Sequence, residues 1–230
     1  MRIGCPDISF KYPKTDKYVF KDFSFQLSDA GFHALFGPSG VGKTSLGKMM
    51  AGLLSGFTGK IETHDIDRIL YSYNLERLPG WSSIGNHLKK ITRSSRANLA
   101  DDLVTVFGLE KHMGSRFSQL SLGQQNRINL IRYLLQDFDL LIMDESLANV
   151  DEKTRMTIIT TIKAMFPDRM FIYISHNVVE VSKFCKKILV CRGYGKDPAA
   201  MIITGQNLKT GEKPGKDALE GTMLEVMNAA

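Results

Sequence analysis

The sequence predicts an α/β fold: an open, mostly parallel sheet around a glycine-rich loop, an antiparallel β part at the N-terminus, and an inserted helical segment. Three observations predict it. Short apolar runs alternate with stretches of helical spacing along most of the chain. One apolar run leads directly into GPSGVGKT, which opens a helix. From about residue 80 to 135 the pattern is helical, with no strand between.

Taken in order, residues 2–11 and 18–27 read as strands. Ile3, Ile8 and Phe10 mark the first, and Val19, Phe20, Phe23, Phe25 and Leu27 the second, with turn chemistry at 13–16. A second turn, SDAG at 28–31, leads to the apolar strand 32–36. The helix after the loop is expected over 45–54, with Leu46, Met49, Met50 and Leu53 on one side. Residues 59–63 and 67–73 are further strand candidates. Helices are expected at 84–91 and at 99–109, the latter with Leu99, Leu103, Val106 and Phe107 on one face, and again from 123 to 135. Then follow a buried-type strand at 140–143 and a helix at 152–166 stopped by Pro167. A strand at 170–174, a short helix at 178–184 and a final strand at 187–191 complete the pattern. Residues 204–217 are rich in Gly, Lys and Thr and read as a linker. A short helix over 218–227 follows, with Asp217 and Glu220 as a capping-box-like start. The expected organisation is one domain over 1–195, with an insert at about 76–135, and an extension of linker plus helix at 196–230.

Composition narrows the function classes. With 43% hydrophobic and 23% charged residues among 230, the chain is expected to fold. No apolar run approaches the roughly 18–20 residues that span a bilayer, so any membrane role is expected through a partner. The start, MRIGCPDISFKYPK, lacks the apolar stretch of a secretory signal, which points to the cytosol. Cys5, Cys185 and Cys191 form no metal-ligand or disulfide pattern and read as small apolar filler in a reducing compartment. The net charge of +6 comes without aromatics interleaved among the basic residues, so no nucleic-acid partner is expected. A solvated surface near an anionic membrane face accounts for it better.

Two motifs carry chemistry. GPSGVGKT at 37–44 satisfies G-x-x-x-x-G-K-[ST] between a strand and a helix. Gly37, Gly40 and Gly42 let backbone approach phosphate oxygens without Cβ obstruction, and Pro38, Ser39 and Val41 complete the turn. The helix N-terminus, through Lys43, Thr44 and Ser45, then faces the anion. Lys43 is the point charge for the β- and γ-phosphates, and the Thr44 hydroxyl is a ligand for Mg²⁺. This establishes a nucleotide site and leaves the class of nucleotide enzyme open. LLIMDE at 140–145 is a strand emerging from the core into two acids. Asp144 is placed to hold Mg²⁺, directly or through water, and Glu145 to polarise the attacking water.

The segment LSLGQQNR at 120–127 resembles the signature motif of ABC ATPases, usually LSGGQ with a Q-R continuation. Ser121 and the amides around Gly123 would cap the following helix and turn its positive end toward a phosphate. The resemblance implies that Ser121, Gly123 and Gln124 serve ATP held by a second subunit, in a head-to-tail homodimer or pseudo-dimer with two composite sites. SLANVD at 146–151 resembles the D-loop, with Asp151 at its acidic position. His176 in YISH resembles the switch histidine at the γ-phosphate. Tyr12 lies where an aromatic ring stacks on adenine, with Tyr18 nearby. Asn74 stands at the Q-loop position, where Gln would reach Mg²⁺ or the attacking water.

The stretch 75–88, LERLPGWSSIGNHL, resembles the LLPW-containing region of nitrate, sulfonate and taurine importers. The likeness spans about residues 3–195. It implies a P-loop core with ATP and Mg²⁺ as cofactors and hydrolysis by Lys43, Glu145 and His176. It further implies transmembrane permease subunits and a solute-binding protein as partners, and a peripheral place on the inner face of the cell membrane. A non-transport ABC ATPase regulating a membrane partner is the alternative. Three departures stand out: Leu122 for glycine, Asn74 for Gln, and Ser146 for the proline after the catalytic glutamate. They imply less easy phosphate approach, a shorter reach and a looser turn, hence slow or partner-dependent turnover.

Overall fold

The computed structural model describes residues 1–230 except Leu75 and Pro79, two positions of the LLPW-like stretch. Along the chain run β1 (Arg2–Lys11), β2 (Tyr18–Ser28), β3 (Gly31–Phe36), α1 (Lys43–Met50), β4 (Glu62–His64) and β5 (Ile69–Tyr73). The helical stretch contributes α2 (Ile84–Ile91), α3 (Ala97–Val106) and α4 (Leu122–Leu134). The second half continues with β6 (Leu140–Asp144), α5 (Glu152–Met165), β7 (Met170–Ile174), α6 (Val178–Phe184), β8 (Lys187–Cys191), β9 (Ala200–Thr204) and α7 (Lys216–Ala229).

Two sheets result. The larger has the order β5-β6-β7-β3-β8-β9, parallel throughout except that β9 runs antiparallel to β8. The smaller is antiparallel, in the order β2-β1-β4. Every residue of β6 and β7 is buried, as expected of strands covered on both faces. Alternation divides their side chains between two cores. Leu141, Met143, Phe171 and Tyr173 face the helical side, and Leu140, Ile142, Ile172 and Ile174 face α1 and the small sheet. The parallel register brings the C-terminal ends of β3, β6 and β7 to one edge, where the loops of interest emerge.

The structure departs from the sequence pattern in several places: the strand expected over 59–63 is β4 at Glu62–His64, and the helix expected over 99–109 is α3 at Ala97–Val106. Helix α1 ends at Met50: Gly52 takes φ +70, the amides of Gly52 and Leu53 turn back onto Met49 and Lys48, and Leu53 is left exposed. β8 is not the last strand, because β9 extends the sheet with Lys187 opposite Thr204 and Cys191 opposite Ala200. Beyond it the tail binds back onto the core. Gly205, Gln206 and Leu208 donate backbone bonds to Lys186, Ser182 and Lys183. α7 starts on Gly215 with no side-chain cap, so Asp217 and Glu220 form no capping box. Glu220 instead lies 4.0 Å from Lys216, while Val226 and Ala229 are buried in the core.

Candidate nucleotide site

The loop after β3 requires glycine for different reasons at different positions. Gly37 has φ +147, and a Cβ there would collide with the Cys191 carbonyl oxygen. Gly42 has φ +105, and a Cβ there would sit 2.6 Å from Val19 Cγ1 and 2.7 Å from Phe20 Cζ. Gly40, at φ +79, has open space around it, so only its dihedral matters. Gly42 is also the N-cap of α1 and supplies no side chain, leaving the first-turn amides to an external acceptor. Lys43 Nζ folds over the loop and donates to the carbonyls of Gly37 and Pro38, both at 2.8 Å. Burial lowers the pKa of its ammonium, and the charges of Glu145 and Asp144 oppose that shift.

A cavity of about 320 Å³ lies over the loop and is lined by Tyr12, Ser39, Lys43, Thr44, Asp144 and Glu145, among others. Tyr12 is tied down: its hydroxyl is 2.7 Å from Ser45 Oγ, and its ring packs edge-on against Phe10. Tyr18 is not part of this cavity. It stacks on Tyr194, with the Lys11 ammonium 4.3 Å above its ring.

Asp144 ends β6 nearly buried and accepts a short hydrogen bond from the Tyr71 hydroxyl. Burial and this bond both push the Tyr71 pKa up, so Tyr71 stays a donor. Glu145 follows at φ +50, a left-handed conformation that costs an ordinary residue about 1–2 kcal/mol. That turn leaves its carboxylate half-exposed, 3.7 Å from His176 Nδ1. Ser146 corrects one expectation. Its hydroxyl is 3.0 Å from Ser72 O and 2.9 Å from Ser72 Oγ, so the turn is fastened to β5 rather than loosened. Behind His176, the buried Glu180 binds Tyr173, Asn177 and Arg155. Burial raises the Glu180 pKa, against the opposing charge of Arg155.

Asn74 borders a second cavity of about 580 Å³ together with Thr44, Asp144 and Glu145. Its side-chain oxygen accepts from Asn126 Nδ2 at 2.8 Å, and its amide donates to Asp144 O at 3.1 Å. Asn126, on α4, also donates to Ala148 O at 2.8 Å. Thus one buried amide joins the segments around 74, 126 and 148. Nothing in the sequence pattern signals this, since its members are 52 and 22 positions apart.

Ser121 is the N-cap of α4 and forms a reciprocal box with Gln124. Ser121 Oγ accepts from Gln124 N at 3.3 Å, and Gln124 Oε1 accepts from Ser121 N at 2.9 Å. Leu122 begins the helix with ordinary backbone and an exposed side chain, so no dihedral strain attends its presence. Gly123 is essential sterically, because a Cβ would collide with the Asn149 carbonyl oxygen. Asp151 caps α5 through Thr154 N at 3.0 Å, and that bond lowers its pKa. Ser121, Gly123, Gln124 and Asp151 do not line the cavity over the loop. The structure therefore gathers Tyr12, the 37–45 loop, Asp144, Glu145 and His176 at one edge and places the α4 terminus elsewhere.

Comparison with known proteins agrees with this geometry. The ABC transporter family profile matches residues 20–148. The molybdenum import ATP-binding protein ModC of Shewanella oneidensis is 33% identical over 72% of the chain and 50% of its own length. The spermidine/putrescine import ATP-binding protein PotA of Fusobacterium nucleatum subsp. nucleatum is 29% identical over 75% of the chain and 50% of its own length. The chain thus spans about half the length of these relatives. A bacterial Atm1-family ABC exporter with ATP bound superposes with a TM-score of 0.74 at 18% identity, over 99% of this chain and 41% of that one. At that identity the likeness speaks to the fold.

Proposed function

Because the chain belongs to the ABC transporter family, we propose that it is the ATP-binding, ATP-hydrolysing subunit of an importer, working on separate membrane permeases. The observation that carries the ATP-hydrolysing role is the grouping of Lys43, Thr44, Asp144 and Glu145 around one cavity at the sheet edge, and the import relatives support the transport role. Lys43 Nζ rests on two loop carbonyls, a position from which it can exchange those oxygens for phosphate oxygens. The uncapped start of α1 and the glycine backbone fit a polyphosphate.

ATP supplies the phosphoanhydride bond that is cleaved. Thr44 and Asp144 would hold Mg²⁺, with Tyr71 keeping the Asp144 carboxylate oriented. Phosphate oxygens and water would complete the coordination. Glu145 orients the attacking water and takes up its proton. His176, beside Glu145, contacts the γ-phosphate. Tyr12 serves the base from the cavity wall, at the end of its bond to Ser45. Asn74 reaches the metal or the water only by leaving Asn126.

Since Ser121, Gly123 and Gln124 lie off this cavity, a second copy in head-to-tail arrangement would bring them to it, and Asp151 would stand near that junction. No helix among the described residues is long and apolar enough to cross a membrane. Attachment to the inner face of the membrane would therefore come through the permeases, with a solute-binding protein upstream. The LLPW-like stretch at 75–88 supports a nitrate-, sulfonate- or taurine-type system. The test is Mg²⁺-dependent ATP turnover of the wild type and Glu145→Gln. A turnover loss of 10²-fold or more with ATP binding retained supports the roles. Equal rates, or no ATP binding by the wild type, would sink them.

A further inference from the structure

At the opposite end of the large sheet from the loop, where β3 and β7 begin, lies a cavity of about 460 Å³. Its walls come from the starts of β3 and β7, the C-terminal half of α5 with the turn after it, Lys186 just before β8, and the tail at residues 207–210. Phe32, Phe166 and Phe171 are among its lining, packed on one another with ring centroids 5.7 and 6.2 Å apart. Lys163, Lys186 and Lys209 line it too, and no Asp or Glu does. We propose that this cavity binds a small organic anion carrying a flat apolar ring, such as an arene sulfonate or carboxylate.

Size, charge and shape argue for this together. The volume lies within the roughly 300–1,000 Å³ of small-molecule sites. Of the three lysines only Lys186 has a carboxylate partner, Asp29 at 3.2 Å. Lys163 Nζ donates to two carbonyls, Phe184 O at 2.8 Å and Leu208 O at 2.6 Å, and has no ion-pair partner among the described residues. Carbonyl dipoles orient an ammonium without neutralising it, so with Asp29 on Lys186 and Glu212 near Lys163 the three lysines keep an excess of positive charge. Burial lowers the Lys163 pKa to about 8, with nearby Cys185 and Glu212 opposing that shift. The nearest acid on the tail, Glu212, is engaged with the Lys209 amide at 2.7 Å and does not line the cavity. Thr160, Asn207 and Thr210 add donors to the polar side; on the apolar side Phe166 and Pro167 present most of the surface, backed by the buried rings of Phe32 and Phe171. An occupant would touch both α5 and the tail, and so hold the tail against the core.

The experiment is calorimetric titration of the full chain with naphthalene-2-sulfonate, and with naphthalene-2-sulfonamide as a neutral analogue of the same shape. The sulfonate should bind at one site and the sulfonamide at least tenfold more weakly. Ala164→Trp, which fills the cavity from an exposed position on α5, should abolish sulfonate binding while ATP binding and melting temperature stay unchanged. Lys163→Met should weaken it about tenfold. Equal affinity for the two compounds, unchanged sulfonate binding in Ala164→Trp, or no sulfonate binding at millimolar concentration would each overturn the assignment. ATP binding is read separately, so failure here leaves the nucleotide assignment standing.

Discussion

Replacing Asn126 by alanine tests the coupling of the nucleotide edge to the inserted helices. Asn126 is 2% exposed, and its Nδ2 donates to Asn74 Oδ1 and Ala148 O, each at 2.8 Å. Truncation leaves both acceptors, which belong to half-buried residues, without that donor. A fully buried unsatisfied group costs about 1–3 kcal/mol and these two keep some access to water, so a combined loss of about 1–3 kcal/mol is expected. Urea unfolding followed by far-UV circular dichroism should show a lower midpoint with an unchanged slope. Asn74→Ala removes only one of the two bonds and should cost less. The double variant should lose less than the sum of the singles by about 1 kcal/mol, because the Asn74–Asn126 bond is counted in both. Turnover should change in Asn126→Ala more than ATP affinity does, since the P-loop contacts are untouched while Asn74 is released beside Asp144. Additive singles, or a loss below about 0.5 kcal/mol in Asn126→Ala, would refute the junction.

Other variants test neighbouring and distant contacts. Gly123→Ala puts a methyl into the Asn149 carbonyl and should displace the start of α4 at a cost of about 1–3 kcal/mol. ATP binding to the monomer should survive while turnover collapses; a variant with normal turnover would show that α4 contributes nothing to the site. Ser146→Ala removes the tie to Ser72 and should lower stability by about 1 kcal/mol, read as a shift of the urea midpoint; no shift would disprove the fastening. His33 is fully buried, with its pKa lowered from 6.5 to about 4 by desolvation. Below pH 6.5 the unfolded chain binds a proton that the folded chain refuses. Stability from this group is therefore complete above pH 6.5 and falls by about 3 kcal/mol as pH drops toward 4. His33→Leu should flatten that part of the stability–pH curve, and an unchanged slope would exclude His33 as its source.

Legibility of the fold followed burial. β6, β7 and the buried part of β8 are covered on both faces, so they read as unbroken apolar runs whose limits match the structure closely. α2 and α6 were equally plain, ending at the expected residues. β9 was not. AMIIT holds a short apolar run, but only Ile203 of its five residues is buried and Met201 and Ile202 are exposed, so the run shows no alternation of a half-buried strand. What makes it a strand is the backbone of β8, a partner that local sequence does not announce. The start of α7 failed for a related reason. Asp217 and Glu220 have the spacing of a box, yet the helix begins two residues before that segment was expected to, because its far end is anchored by Val226 and Ala229.

The chemistry of the site was legible where it depends on residue type and hidden where it depends on partners. Lys43, Asp144 and Glu145 stand out by motif, but the hydroxyl that holds Asp144 belongs to Tyr71, on the neighbouring strand, 73 positions away. The three departures from the family pattern divide on the same line. Asn74 is shorter than Gln, and the structure shows its oxygen spent on Asn126, so the shorter reach has a bonded alternative. Ser146 lacks the stiffness of proline but gains a tether to Ser72. Leu122 removes a glycine yet sits in the first turn of α4, where the backbone is helical and its amide is one of the four that no intrahelical carbonyl can reach. The Ser121–Gln124 box uses the amides of Ser121 and Gln124, and no intrahelical carbonyl can reach those of Leu122 and Gly123. A phosphate carried by a second copy would need those two amides and no side chain at 122, so the leucine leaves the donor set intact and affects only how closely the partner surface can approach. On the proposed head-to-tail pairing, specific turnover should rise with protein concentration, and a rate independent of concentration would refute the pairing.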